Sequence, residues 1–171
     1  MITTTIEDMI LQTDAAGAPV RLEYVRGRLK VEASPASRHQ MTAKAIEASL
    51  GPLPGSGDVC ACFSLQDVLI RFPDPDGSLK RPDIAIFRAE PPDSDEALDV
   101  LPVAVIEILS LGYEEKDLGP EGASFYLAYV PDVLVVDPRA GIVHHYRADR
   151  PPTRYTAPIT VELQCSCRVV L

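Results

Sequence analysis

Two carboxylates in the middle of this chain stand where apolar residues would be expected. Glu107 lies within residues 103–109, whose other members are all apolar, and Asp83 opens the short apolar run at residues 83–87. Burying an ionised carboxylate is unfavourable unless its charge is compensated. A divalent cation bound by both carboxylates is one such compensation. The pair therefore predicts a metal site formed by Asp83 and Glu107.

The pattern around the pair predicts the strands that would position it. Residues 101–109 are apolar apart from Glu107, which is typical of a central strand. Apolar and polar residues alternate on both sides of Arg26 and Gly27, a pattern typical of a β-hairpin. The remaining patterns predict helices over residues 3–11, 37–50 and 113–129, and strands over residues 59–63, 67–72, 83–87, 133–136, 142–146 and 159–171. Together they predict one domain, residues 1–171, of the α/β (α+β) class: a mixed central sheet flanked by helices, with an N-terminal hairpin.

The composition of the chain indicates which partners it can bind and in which compartment of the cell it is expected. Its 171 residues carry a formal net charge of −9, which does not favour non-specific binding to nucleic acid but still allows a local basic groove. No stretch reaches the roughly 20 apolar residues of a membrane span, so we expect no membrane partner. The first eight residues lack the basic and apolar segments of a signal peptide. We therefore expect a cytoplasmic protein.

The four cysteines form two Cys-x-Cys pairs, Cys60 with Cys62 and Cys165 with Cys167. Residues two apart in a strand share a face, so each pair could present two thiolates together. Four thiolates could form a structural zinc site, although such sites usually use Cys-x(2–4)-Cys spacing. A disulfide or a redox role is a further alternative. The favoured interpretation is that the cysteines are small buried apolar side chains in a reducing compartment.

Several segments, taken in order, resemble one protein family. The ordered set resembles the Uma-two family of restriction-endonuclease-like proteins, within the PD-(D/E)xK nuclease superfamily. No single segment is specific, but their order and spacing match over roughly residues 3–147. The segments are Arg-Pro-Asp-Ile-Ala-Ile at 81–86, Val-Ile-Glu-Ile-Leu-Ser at 105–110, Asp-Leu-Gly at 117–119, Ala-Tyr-Val-Pro-Asp at 128–132 and Val-Val-Asp-Pro at 135–138, with matching residues at 22–27, 34–40 and 144–147.

The resemblance implies a restriction-endonuclease-like fold and a metal-dependent chemistry. It implies that Asp83 and Glu107 bind Mg²⁺ or Mn²⁺, that Ile108 contributes its backbone carbonyl, and that DNA is a possible substrate. Glu23 and His39 match other polar positions of the family and are candidates to line the same cleft. Nucleases of this class often act as dimers, so the resemblance also makes a homodimer plausible.

The chain departs from the family pattern at the catalytic lysine. The family carries this lysine four residues beyond the aspartate of the Asp-Leu-Gly segment, which is Asp117 here. Counting from Asp117 reaches Glu121, or Gly122 if Pro120 is an insertion, and neither is a lysine. Lys116 is close in sequence and is a further cleft candidate, but it is expected to lie about a turn away unless Pro120 and the glycine before it redirect the start of the helix. We therefore expect the catalytic lysine to be missing, with Glu121 or Gly122 at its position and Glu121 as the candidate catalytic residue there.

Three interpretations follow from these residues. The first is a Mg²⁺-dependent endonuclease that hydrolyses phosphodiester bonds of DNA, with its lysine replaced. The second is a catalytically degenerate nuclease fold that binds metal, nucleic acid or a protein partner without cleaving. The third is that Glu107 is a core glutamate, neutralised by a hydrogen bond or by an arginine such as Arg81, in a fold that only assembles with itself.

Overall fold

The computed structural model describes residues 4–57, 59–112, 118–119 and 121–171. In chain order its helices and strands are α1 (Ile6–Ala15), β1 (Val20–Val25), β2 (Arg28–Ala33), α2 (Ser37–Ala48), β3 (Gly51–Pro52), β4 (Phe63–Gln66), β5 (Ile70–Arg71), β6 (Leu79–Lys80), β7 (Ile84–Phe87), β8 (Ala104–Ile108), α3 (Ala123–Leu127), β9 (Asp132–Asp137), β10 (Ile142–Arg147), β11 (Arg150–Thr156), β12 (Thr160–Glu162) and β13 (Cys167–Val170).

A mixed sheet forms the centre of the fold. Within the described ranges it has six strands in the order β11-β10-β9-β8-β7-β4. Strands β8 and β9 run parallel, and the other neighbouring strands run antiparallel. Two smaller sheets, β2-β1-β6-β5 and β12-β13-β3, lie beside it. The predicted mixed α+β architecture is confirmed.

The central sheet is covered on both faces, because alternate residues of a strand point to opposite sides. Ile84 and Ile106 pack in one cluster with Ile46 of α2. Ala85 and Val105 pack in another cluster with the residues of α3. All five residues of β8 are buried, which explains the nearly uniform apolar run around Glu107.

The N-terminal hairpin forms where its sequence predicts it. Strands β1 and β2 pair antiparallel from Val20 opposite Ala33 to Val25 opposite Arg28. Arg26 and Gly27 connect them with φ values of 48° and 81°, as the tight turns that match strand twist require. This turn places Glu23 on a strand whose other neighbour is β6.

Other predicted elements differ from the structure. The segment predicted as one strand over 159–171 is a hairpin, because Leu163 and Ser166 form a turn between β12 and β13. Strand β11 was not expected, since it contains two prolines, but it lies at the sheet edge, where missing N–H donors are tolerated. Residues 59–62 form no described strand, and the helix predicted over 113–129 is described as α3 alone, with residues 113–117 and 120 outside the described part.

The cysteines also depart from the favoured interpretation. Cys60 and Cys167 form a disulfide, and Cys62 and Cys165 are thiols. Burial, together with contact with the neighbouring Cys165, raises the pKa of the Cys62 thiol to about 12. The four residues are therefore a cluster rather than separate small side chains in the core.

A buried ionic cluster fixes the C-terminal hairpin to the central sheet. Asp132 opens β9 and accepts hydrogen bonds from His145 Nε2 at 2.7 Å, from Arg147 Nε at 2.5 Å and from the Gln164 backbone at 2.6 Å. Burial raises the pKa of Asp132, but these hydrogen bonds outweigh burial and leave it below its ordinary value. The carboxylate is therefore ionised at neutral pH and holds three segments together.

Candidate metal centre

Asp83 and Glu107 face each other across two neighbouring strands. Strands β7 and β8 pair antiparallel with Ile84 opposite Ile106, so one further residue brings Asp83 opposite Glu107. Directly opposed residues project to the same face of an antiparallel pair. The Asp83 backbone N–H donates to Glu107 Oε2 at 3.3 Å. Register alone thus brings the two predicted carboxylates together.

The Asp83 carboxylate is held in place from two sides. Its Oδ2 accepts a hydrogen bond from the Ile108 backbone N–H at 2.7 Å and lies 3.0 Å from His39 Nε2. His39 is in the first turn of α2, the helix that packs on the Ile84 and Ile106 face of the central sheet. The position of this helix brings His39 to Asp83. The Asp83 side chain retains 24% of its exposure, whereas Glu107 is only 1% exposed. Asp83 is the member of the pair that solvent reaches.

A cavity of about 320 Å³ opens beside Asp83. Its walls include Asp83, Glu23, His39 and Ile108, which the sequence analysis singled out. Counting only described residues, its lining carries four arginines and four carboxylates: Arg21, Arg38, Arg81, Arg139, Glu23, Glu32, Asp67 and Asp83. The cavity is therefore charge-balanced in a chain whose formal net charge is −9.

The four arginines of the cavity fall into two groups. Arg21 pairs with Asp67 at 2.7 Å, and Arg81 pairs with Asp14 and Asp67. Arg38 and Arg139 are exposed and, in the part of the chain that the structure describes, form no ion pair. These two side chains can meet an anion at the cavity without breaking an existing pair.

A buried lysine, Lys80, pairs with Glu23, which lines the cavity. It is 1% exposed, and its Nζ lies 3.5 Å from Glu23 Oε2. The same Nζ donates to the backbone carbonyl of Glu121 at 2.9 Å and lies 4.6 Å from the centre of the Tyr126 ring. Glu23 is also buried, and its Oε1 accepts from the Arg81 backbone N–H at 2.7 Å. Lys80 thus supplies a positive charge directly beside the position where the family resemblance places its lysine.

Tyr126 links the lysine to the carboxylate pair. It lies in α3 and is fully buried. Burial, followed by the negative charges of Glu107 and Glu23, raises the pKa of the Tyr126 phenol well above its ordinary value. The phenol therefore stays protonated and can serve as a neutral donor toward the acidic cluster.

The structure places the other predicted site residues differently. The Glu121 carboxylate forms an ion pair with Lys30 of strand β2, and Glu121 does not line the cavity. Its role as a catalytic residue stays a prediction. Lys116 lies outside the described residues.

Lys80 is the residue that the sequence analysis missed. Its neighbours come from two segments far from it in the chain, Glu23 from strand β1 and Glu121 with Tyr126 from the start of α3 and the residues before it, and no local sequence pattern predicts these contacts. One feature of the sequence could have pointed to Lys80. It lies three residues before Asp83, in strand β6, and the chain runs from this strand directly into the site.

Comparison with known proteins assigns the chain to a family. The family model of Uma2, described as "Putative restriction endonuclease", matches residues 6–165. The chain belongs to the Uma2 family. Its fold is similar to that of a solved structure described as a "putative nuclease belonging to DUF820" from Anabaena variabilis, with a TM-score of 0.61 and 17% sequence identity over 82% of this chain and 80% of that chain. Among curated protein sequences, none matches this member of Uma2.

No helix in the described ranges of this Uma2 protein is both long enough and apolar enough to cross a membrane.

The Lys80–Glu23 pair gives a direct stability test. Replacing Lys80 by Met should lower the free energy of unfolding by about 3–5 kcal/mol, because it removes the buried cation that lies beside the buried Glu23 carboxylate. Adding Glu23→Gln should recover most of this loss, since Gln retains an oxygen to accept from the Arg81 backbone. Urea unfolding of the four proteins in the double-mutant cycle measures this coupling.

Lys44→Met, at an exposed position of α2, is the matched control and should change the stability by less than about 0.5 kcal/mol. Additive effects of the two substitutions, with no recovery in the double variant, would contradict the proposed charge balance.

Proposed function

We propose that this Uma2 protein is a divalent-metal-dependent phosphodiesterase that hydrolyses DNA. The observation that carries the proposal is the facing pair Asp83 and Glu107, beside a cavity, in a family described as "Putative restriction endonuclease". Two carboxylates on adjacent strands are the arrangement that a hard cation can bridge.

The donor atoms fit such an ion. The side chains of Asp83 and Glu107 offer only oxygen, and the neighbouring Ile108 has a backbone carbonyl that could complete the set. Oxygen donors suit Mg²⁺ and Mn²⁺, and a soft thiolate donor is missing from the described lining of the cavity. When bound there, such an ion supplies Lewis acidity that makes a water molecule more acidic and offsets phosphate charge.

The residues around the pair position it. The Ile108 amide and His39 fix one oxygen of Asp83, which limits the directions in which the carboxylate can turn. Lys80 offsets the Glu23 charge, and a third acidic group can therefore remain near the pair at neutral pH. Lys80 is buried and acts through Glu23, so we treat it as a positioning residue rather than as a catalytic one.

An anionic polymer is the substrate that the two exposed arginines at the cavity favour. Arg38 and Arg139 form no ion pair with described residues, and they lie at a cavity that the overall charge of −9 would otherwise make repulsive to phosphate. Arginine binds phosphate oxygens through two parallel hydrogen bonds. The homodimer expected from the resemblance would place two such cavities across the two strands of a duplex.

Cleavage of plasmid DNA tests the proposal. The wild-type chain should nick supercoiled plasmid in Mg²⁺ or Mn²⁺ and stop when the metal is chelated. Asp83→Asn and Glu107→Gln should each slow cleavage by about 100-fold or more, because each removes a proposed ligand rather than a residue that supports one. Asp93→Asn, an exposed carboxylate in another loop, is the matched control and should leave the rate unchanged.

Cleavage that survives in the Asp83→Asn/Glu107→Gln chain would refute the assignment. A wild-type chain that binds metal and DNA but never cleaves would instead support the second candidate function, a nuclease fold that binds without turnover. The ion pair of Glu121 with Lys30, at the position expected for the lysine, is the observation that favours this second candidate.

The two arginines make a separate prediction about nucleic-acid binding. Arg38→Ala combined with Arg139→Ala should weaken the binding of a labelled duplex and reduce the salt dependence of log K by about 2, since each lost phosphate contact contributes about 0.9. Fluorescence anisotropy across a salt series, with Ca²⁺ in place of Mg²⁺, gives this slope. Arg154→Ala, an exposed arginine of strand β11, is the control; an equal change there would contradict specific contacts at the cavity.

A further inference from the structure

The four cysteines of the chain converge at one place, away from the carboxylate pair. The sulfurs of Cys60, Cys62 and Cys167 all lie within 4.8 Å of one another. Cys165 is in hydrogen-bonding contact with Cys62. Cys60 and Cys167 are disulfide-bonded, with a Cα–Cα distance of 5.2 Å, although 107 positions separate them in sequence.

Two separate segments deliver these side chains in pairs. Cys60 and Cys62 lie just before β4, which forms the edge of the central sheet opposite to β11. Cys165 lies in the turn of the C-terminal hairpin, and Cys167 is the first residue of β13. Between them Ser166 has a φ of 64° and its N–H donates to the Leu163 carbonyl, which curls the chain and brings both cysteines toward Cys62.

We propose that the reduced chain binds one Zn²⁺ through the thiolates of Cys60, Cys62, Cys165 and Cys167. Zinc favours a tetrahedral set of four thiolates with Zn–S distances of about 2.3 Å, which puts neighbouring sulfurs about 3.8 Å apart. The sulfurs of Cys60, Cys62 and Cys167 lie close enough to reach that range with small side-chain movements, and Cys165 is brought to them by its contact with Cys62. A disulfide alone needs two cysteines and leaves the convergence of the other two unexplained.

Zinc can bind to all four cysteines only after the Cys60–Cys167 disulfide has been reduced. A thiol reductant opens the Cys60–Cys167 disulfide by a two-electron reduction, and two reductant thiols become a disulfide in exchange. The four protein thiols then release their protons as their sulfurs bind the cation. The disulfide is the oxidised, metal-free form of the same site.

The proposed site has a structural role. It connects strand β13, which belongs to the three-stranded sheet β12-β13-β3, to the segment that enters β4 of the central sheet. Cys62 and Cys165 also pack against the apolar cluster under α2. Bound zinc would therefore stabilise the contact between the two sheets, independently of any cleavage activity.

Metal analysis of the reduced, full-length chain tests this proposal. The protein, purified without added metal and treated with a thiol reductant, should bind one Zn²⁺ per chain, and Co²⁺ should give the intense visible absorption of a tetrahedral thiolate site. Cys62→Ser and Cys165→Ser should each weaken zinc binding by more than the roughly 10- to 100-fold that the loss of a supporting residue costs. The circular dichroism spectrum of each reduced serine variant should match that of the reduced wild-type chain without metal, so that the lost zinc binding is not caused by unfolding.

The control is the Asp83→Asn/Glu107→Gln chain, which should retain its zinc whether or not the wild-type chain cleaves DNA. A reduced wild-type chain that binds no zinc, or one in which both serine variants bind zinc as tightly as wild type, would overturn the proposal. An intact mass lighter by two hydrogen atoms, unchanged by reductant and zinc, would likewise assign the cluster to a permanent disulfide.

Discussion

The burial of Glu107 in the middle of the central sheet is the constraint on which the rest of this structure depends. Strand β8 is buried along its whole length, and Glu107 is 1% exposed within it. A charge in that position needs donors and counter-charges, because water cannot solvate it. The fold provides the Asp83 backbone N–H and the protonated Tyr126 to Glu107, and the cation of Lys80 to Glu23, whose charge also acts on Tyr126. The register of β7 and β8 positions Asp83, α3 positions Tyr126, and the N-terminal hairpin positions Glu23.

The acidic cluster explains why the site combines groups from so many elements. Asp83 directly precedes β7, Glu107 lies in the neighbouring strand β8, Glu23 comes from the hairpin and His39 from α2. Carboxylates close to one another repel, so each needs a separate partner: His39 and the Ile108 amide for Asp83, Lys80 and the Arg81 amide for Glu23. A bound cation would complete this compensation at the pair itself. Such a site is costly to build for a purely structural purpose, which is why we assign it a function.

The sequence predicted the parts of the site that local pattern determines. Glu107 stands out because its neighbours are apolar, and the turn at Arg26 and Gly27 sets the hairpin that carries Glu23. Lys80 could not be predicted in the same way, because its burial results from contacts with segments more than 40 residues away on either side. The same reason applies to the cysteines: Cys-x-Cys spacing is visible in sequence, but the meeting of two such pairs depends on how the C-terminal hairpin packs against β4. Strand β11 was missed because its prolines are compatible only with a sheet edge, and edges are set by topology.

The central claim is that Asp83 and Glu107 together bind a divalent cation, and calorimetric titration of Mn²⁺ tests it most directly. Mn²⁺ prefers oxygen over thiolate donors, so the cysteine cluster should not obscure the result. We predict one Mn²⁺ site per wild-type chain, absent from the Asp83→Asn/Glu107→Gln chain. Equal Mn²⁺ binding by both proteins, or none by the wild type, would contradict the account.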